Sequence, residues 1–192
     1  MTCLLQRFLP LFGLVLLSLV PHSARAAGST AVALWEPRAH DVFVVDVSRN
    51  EGYLVHEDGD YVTFPVATGR RSYVYYIGRG YKANTPIRTW TAEQKQIKGD
   101  RHTFGVSGRF IRLYRGGEDS PYGIHSYYKE NDWMEAEGRY FSMGCVIVSE
   151  GMMDVIEKTF DVNGRKMTVI TTDNLEATFA KVKAQNTLAA RQ

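Results

Sequence analysis

The spacing of apolar and polar positions predicts a chain that begins with strands. Residues 41–48 (Asp-Val-Phe-Val-Val-Asp-Val-Ser) are β-branched and aromatic, and the polar turn Arg49-Asn50-Glu51-Gly52 separates them from the short apolar run Tyr53-Leu54-Val55-His56. Glu57-Asp58-Gly59-Asp60 is a second turn, and residues 61–68 form a third apolar run. Closely spaced turns between β-rich runs predict an antiparallel meander. Pro65 cannot donate to a ladder, which places its run at an edge or a bulge. Residues 72–77 predict a further strand, broken by Gly78-Arg79-Gly80. No Lys-Ser/Thr and no helical pattern follow those glycines, so they read as a turn rather than a phosphate cradle.

The middle of the chain is less regular. Residues 84–90 are expected to be extended, because Pro86 bars its predecessor from the helical region. Residues 92–100 are polar and read as a short helix or a loop, residues 110–114 alternate like a half-buried strand, and residues 116–121 read as a loop leading into Tyr122-Gly123-Ile124-His125. Ser149 can cap a helix with Met152, Met153, Ile156 and Phe160 on one face. Residues 166–172 are strand-like. Asp173 with Glu176 has the form of a capping box and opens a helix from Leu175 to about Leu188, anchored by Phe179 and Val182. The expected architecture is one mainly β domain with a few helices on its margins.

The N-terminus adds a processing signal. Residues 1–7 end in Arg7, residues 8–20 are apolar, and Ala24 and Ala26 fit a small-residue cleavage site, the layout of a secretory signal peptide cut after Ala26. A retained anchor is the competing reading, but the apolar run is shorter than the ~20 residues of a spanning helix. Export to the periplasm or cell wall is the expectation, with no membrane span after cleavage. The leader carries Arg7 and Arg25, so without it the 23 basic residues fall to parity with the 21 acidic ones; this balance gives no footing for nucleic acid. Cys145 is then the sole cysteine, and without a disulfide the fold must rest on its core.

An unpaired thiol in an oxidising compartment needs a reason. Taken alone, a buried cysteine is most simply an inert small hydrophobe. A free thiol titrates near ~8.5, and a histidine within reach can take its proton and make it a nucleophile. His40 and His56 lie near strand ends and are expected to face solvent, His102 lies in a polar loop, and His125 ends an apolar run in a place suited to a cleft rim. Gly144 permits a tight turn before Val146-Ile147-Val148, where backbone N–H groups can face a developing oxyanion. A zinc site needs more ligands than one cysteine and histidines at these spacings, and a papain-like protease, open on Cys-His chemistry alone, usually carries its cysteine before its histidine, the reverse of the order here.

His125-Ser126 followed by Ser142-Met143-Gly144-Cys145-Val146 resembles the signature of the L,D-transpeptidase catalytic domain, the YkuD family. Residues 41–48 resemble its opening strand, Phe64-Pro65-Val66-Ala67-Thr68-Gly69 its P-V-S-T-G segment, Asn84-Thr85-Pro86-Ile87 its T-P-x-G segment, and Met167-Thr168-Val169-Ile170 its closing strand. Several weak motifs in one order are more specific than any alone. The resemblance implies a YkuD-like β-sandwich with a few short peripheral helices. The division is 1–26 signal peptide, 27–40 lead-in, 41–172 catalytic domain and 173–192 C-terminal helix.

It further implies Cys145 as nucleophile, His125 as general base, the Ser126 main-chain carbonyl as the group orienting the ring, and oxyanion donors on the backbone near Gly144 and Cys145. Ser142, Met143, Arg139, Tyr127 and Tyr128 are the candidates for substrate contact, with a solvated lid surface as the alternative for Arg139 and the two tyrosines. Three positions depart from the pattern: Met143 replaces the usual His, Ile147 the usual Arg or Asn, and Arg88 the usual Gly. The implied partners are peptidoglycan stem peptides and an amine acceptor (a second stem peptide, a D-amino acid or a wall-linked protein), and no metal or cofactor is implied. Water as acceptor, giving an L,D-carboxypeptidase or a hydrolase, and a non-catalytic wall-binding module are the alternatives.

Overall fold

The computed structural model describes residues 32–76 and 78–189, with backbone alone from 185 onward. The expected signal peptide lies outside the described residues. Among those described, no helix is long and apolar enough to cross a membrane.

The meander forms as expected. β1 (Val42–Asp46), β2 (Glu51–Val55) and β3 (Tyr61–Pro65) pair antiparallel in sequence order. Asn50 takes a left-handed φ of 54° in the first turn and Gly59 a φ of 95° in the second. β3 is the outer strand of its sheet, and Pro65 sits at its end, where no donor is missed. β12 (Met167–Thr172) runs parallel to β1 on its other side. The sheet continues through β7 (Arg88–Ile97), β8 (Arg109–Arg115), β9 (Glu118–His125) and β11 (Val146–Ile147), in the order β11-β9-β8-β7-β12-β1-β2-β3. Two small ladders complete the β structure: β4 (Thr68–Gly69) with β10 (Tyr140–Ser142), and the hairpin of β5 (Tyr73–Tyr76) with β6 (Arg79–Lys82).

The large sheet curls until its edges meet. Beyond β3, Ala67 exchanges two main-chain hydrogen bonds with Ile147 of β11, at 2.8 and 2.9 Å. The core lies within the curl, where Phe43, Leu54, Phe64, Trp90, Ile111 and Ile124 pack against Met153, Ile156 and Phe160 of the Glu150–Val162 helix. Ser149 caps that helix by accepting the Met152 N–H at 3.0 Å. The C-terminal helix, Leu175–Ala189, covers the outer face of the meander through Val182 and Phe179 against Val44, Tyr53 and Val55. β1 therefore buries both faces, which explains its unbroken apolar run.

Three expectations are corrected. Residues 92–97 belong to the long strand β7, not to a helix or loop. Gln94 and Gln96, opposite Arg112 and Phe110, lie on the outer face of the sheet, whereas Lys95, opposite the core residue Ile111, faces the Glu150–Val162 helix and pairs with Glu157. The loop expected over residues 116–121 shrinks to Gly116-Gly117, with φ of 56° and 88°, and β9 begins at Glu118. The cap of the C-terminal helix is Asn174, whose Oδ1 accepts the Ala177 N–H at 3.1 Å, rather than Asp173.

Candidate active site

The β-sheet register brings Cys145 and His125 together. β11 runs parallel to β9 with Val146 opposite Ile124 and Ile147 opposite His125. Cys145 immediately precedes β11 and so falls on the rung of Gly123. Side chains two apart along a strand share a face, so the thiol and the imidazole project to the same side as diagonal neighbours, about 7–8 Å apart at the backbone. Both line a cleft of about 830 Å³.

His125 is buried and its tautomer is fixed by geometry. Nδ1 lies 2.7 Å from the Ser126 carbonyl oxygen. A carbonyl only accepts, so Nδ1 carries the hydrogen and Nε2 keeps a lone pair free to take a proton. Burial lowers the ring pKa from 6.5 to about 4, against the opposing pull of the Ser126 and Thr103 main-chain groups. Phe104 meets the ring edge-on at 5.1 Å and Phe110 lies 6.0 Å away. Ser126 is itself braced: its Oγ donates to Glu150 Oε1 at 2.7 Å, and Arg109 holds the other oxygen of that carboxylate at 2.9 Å.

The thiol of Cys145 is half-buried and unpaired. Burial pushes its pKa up to about 11, while the Gly123 main-chain hydrogen bond and the Arg112 charge act the other way. At neutral pH the pair therefore rests as neutral thiol and neutral imidazole.

The turn before the cysteine is tightly specified. Gly144 has a φ of 124°, and a Cβ there would fall 2.6 Å from the Tyr122 ring and 2.9 Å from the Asn84 carbonyl oxygen. Ser142 Oγ accepts the Gly144 N–H at 3.0 Å and donates to the Cys145 carbonyl at 2.6 Å. This corrects the role expected of Gly144: its N–H is occupied, and its contribution is conformational. No hydrogen bond from the Cys145 N–H is found among the described residues, so that donor is available in the turn. Thr85 locks the turn from behind, donating to the Gly144 carbonyl at 3.0 Å and accepting the Gly69 N–H at 2.9 Å. The Thr68-Gly69 and Thr85-Pro86 segments thus converge on the cysteine.

The expected substrate contacts divide. Ser142, Met143 and Tyr127 line the cleft. Arg139 does not; its guanidinium donates to the main-chain carbonyls of Arg49, Asn50 and Val66, tying its loop to the β1–β2 turn. Tyr128 is exposed and stacks on His102, with ring centres 3.9 Å apart. The loop between His125 and Cys145 holds a short helix, Glu130–Met134, that buries Trp133 completely, so it is packed rather than solvated throughout. His40 is exposed, whereas His56 is buried, bonded to Asp41 at 2.5 Å and stacked on Trp35 at 3.8 Å. That pairing makes His56 a core residue instead of a solvent-facing one. Among the described residues, no group of acidic, histidine and cysteine side chains is arranged to hold a metal.

Residues 40–169 match the YkuD family, the L,D-transpeptidase catalytic domain, and the chain belongs to that family. Solved structures similar to it include an L,D-transpeptidase from Xylanimonas cellulosilytica (18% identity, TM-score 0.46, covering 77% of this chain and 70% of that one). Another is the helical cell shape determining protein Pgp2 from Campylobacter jejuni (14%, 0.49, 73% and 49%). A third is an L,D-transpeptidase from Mycobacterium smegmatis (19%, 0.45, 70% and 59%). The chain spans about half the length of Pgp2. No curated protein sequence matches it.

Proposed function

We propose that this chain is an exported, peptidoglycan-remodelling L,D-transpeptidase that works through Cys145 and His125, in the periplasm or cell wall. The observation that carries the reading is the locked Nδ1–H tautomer of His125 beside a thiol on the same sheet face, in one cleft. Sγ attacks the carbonyl between an L-centre and a terminal D-residue of a stem peptide, and the thiol proton passes to Nε2. The imidazolium so formed meets the Ser126 carbonyl at Nδ1–H. The oxyanion is received at the Cys145 N–H. The C–N bond breaks, the D-residue leaves with the proton from His125, and a thioester remains. An acceptor amine then attacks the thioester, giving its proton to Nε2. The thiolate leaves and is reprotonated. The thioester conserves the activation of the acyl group, so the exchange needs no nucleotide.

Burial of the thiol favours a second reading, a wall-binding module with an inert cysteine. One experiment separates the readings. Purified muropeptides incubated with enzyme and a D-amino acid should yield stems carrying the new residue, and Cys145→Ala should yield none. Shortened stems alone would mean that water is the acceptor, and retained turnover in Cys145→Ala would refute the dyad.

A further inference from the structure

The face carrying the thiol can be written as two rungs. Phe110, His125 and Ile147 lie across β8, β9 and β11 on one rung, and Arg112, Gly123 and Cys145 on the next. Positions on one rung share a face, as do positions two apart on a strand. All the side chains in this array line the cleft. The middle position of the second rung has no side chain, and a Cβ on Gly123 would meet both Phe110 Cζ, at 2.2 Å, and the Ile111 carbonyl oxygen, at 2.8 Å. The tip of the Phe110 ring occupies that gap. Arg112 and Cys145 therefore flank an aromatic floor, two strand spacings apart, roughly 9–10 Å at the backbone.

Arg112 is the cation of this array, and it lacks a counter-ion. Its guanidinium carbon stands 5.2 Å from the centre of the Phe110 ring, and Nη1 donates to the Ser120 carbonyl at 2.5 Å. No carboxylate pairs with it among the described residues. Arg109, on the same strand, has three: Glu150, Asp154 and Glu157. The contrast extends across the cleft. Its lining includes Arg70, Arg79 and Lys98 as well, none of them in an ion pair among the described residues, and no Asp or Glu. The ring and the carbonyl hold Arg112 in place while leaving its charge uncompensated. The charge also acts on the thiol, in the direction that favours its ionisation.

We infer that Arg112 is a specificity-determining residue that reads a carboxylate on the acyl donor, borne by the residue whose carbonyl Cys145 attacks. This rests on the functional reading above for the identity of the donor. A carbonyl held at Sγ puts the side chain of the same residue over the Phe110 floor, toward the guanidinium. A free carboxylate there gains a charge-assisted hydrogen bond and an amide does not.

Two tetrapeptide donors that differ only in a free side-chain carboxylate or its amide at the third residue test this. They are titrated calorimetrically into Cys145→Ala protein, which binds without turnover, with Arg112 intact, Arg112→Gln or Arg112→Lys. With Arg112 the carboxylate donor should bind about tenfold more tightly. Arg112→Gln should bring the two within about twofold, and Arg112→Lys should keep a preference of about threefold or more, as a point charge without the fork. A preference that survives Arg112→Gln, equal affinities with Arg112 intact, an equal loss for both peptides, or no binding of either would overturn the proposal. Failure of the functional reading is distinct: the carboxylate donor would bind as expected, while the unmodified enzyme neither becomes acylated nor turns it over.

Discussion

Burying His125, the proposed general base, should make the fold acid-labile in a window that belongs to its ring. Unfolding returns the imidazole to its ordinary pKa of 6.5, whereas the folded ring titrates at about 4. The unfolded chain thus binds the proton first as pH falls, and stability is lost between those values, fully so below the lower one. A shift of that size corresponds to about 2 kcal/mol lost between pH 7 and pH 5, and about 3 kcal/mol by pH 4. The perturbation is His125→Gln, which keeps a side-chain donor for the Ser126 carbonyl and does not titrate. Urea unfolding midpoints of both proteins, at half-unit steps from pH 7 to pH 5, isolate the effect. Titratable groups common to both proteins cancel in the difference between the curves. Glu150 and Glu157 are held below their usual range by hydrogen bonds that outweigh burial, so they stay ionised there. The wild-type curve should fall by about 2 kcal/mol more than the variant's. Parallel curves would refute the argument that the ring is held neutral by burial.

Three further outcomes follow from the turn and the thiol. Gly144→Ala places a Cβ against Tyr122 and the Asn84 carbonyl at a positive φ, and should cost about 1–3 kcal/mol in thermal unfolding while abolishing transfer. Thr85→Val leaves the Gly144 carbonyl and Gly69 N–H without their partner, and should cost about 1–3 kcal/mol and lower kcat more than it raises KM, since the oxyanion donor is displaced. Alkylation of Cys145 by iodoacetamide should climb about tenfold per pH unit through neutrality toward a plateau near 11; a plateau below pH 7 would mean a pre-formed ion pair.

Local signals made much of this fold legible in the sequence. The meander, the Ser149 cap and the Phe179 and Val182 anchors rest on patterns within a few residues, and they stand in the structure. β7 was hidden because its outer side is solvated and its charges find partners on a distant helix, so Glu93-Gln94-Lys95-Gln96 carries no alternation in hydrophobicity. His56 looked exposed because the groups that cover it, Trp35 of the lead-in and Asp41 at the start of the first strand run, are distant in sequence. At the site, the thiol and imidazole were visible as residue types at motif spacing. Arg112 and Gly123 were not, because each has meaning only through strand pairing that joins distant segments, and Thr85 was visible only as part of a motif, its role being set by hydrogen bonds to Gly69 and Gly144. Arg139 was misplaced for the same reason, since the carbonyls it binds lie in the β1–β2 turn.

Catalysis by the proposed route requires a covalent bond at Cys145. Protein incubated with a tetrapeptide donor and no acceptor amine, then quenched in acid, should gain the mass of the donor less its terminal D-residue. Hydroxylamine should release the added mass, as expected of a thioester, and peptide mapping should place it on Cys145. Turnover with no such adduct, or the same adduct on Cys145→Ala, would contradict the account.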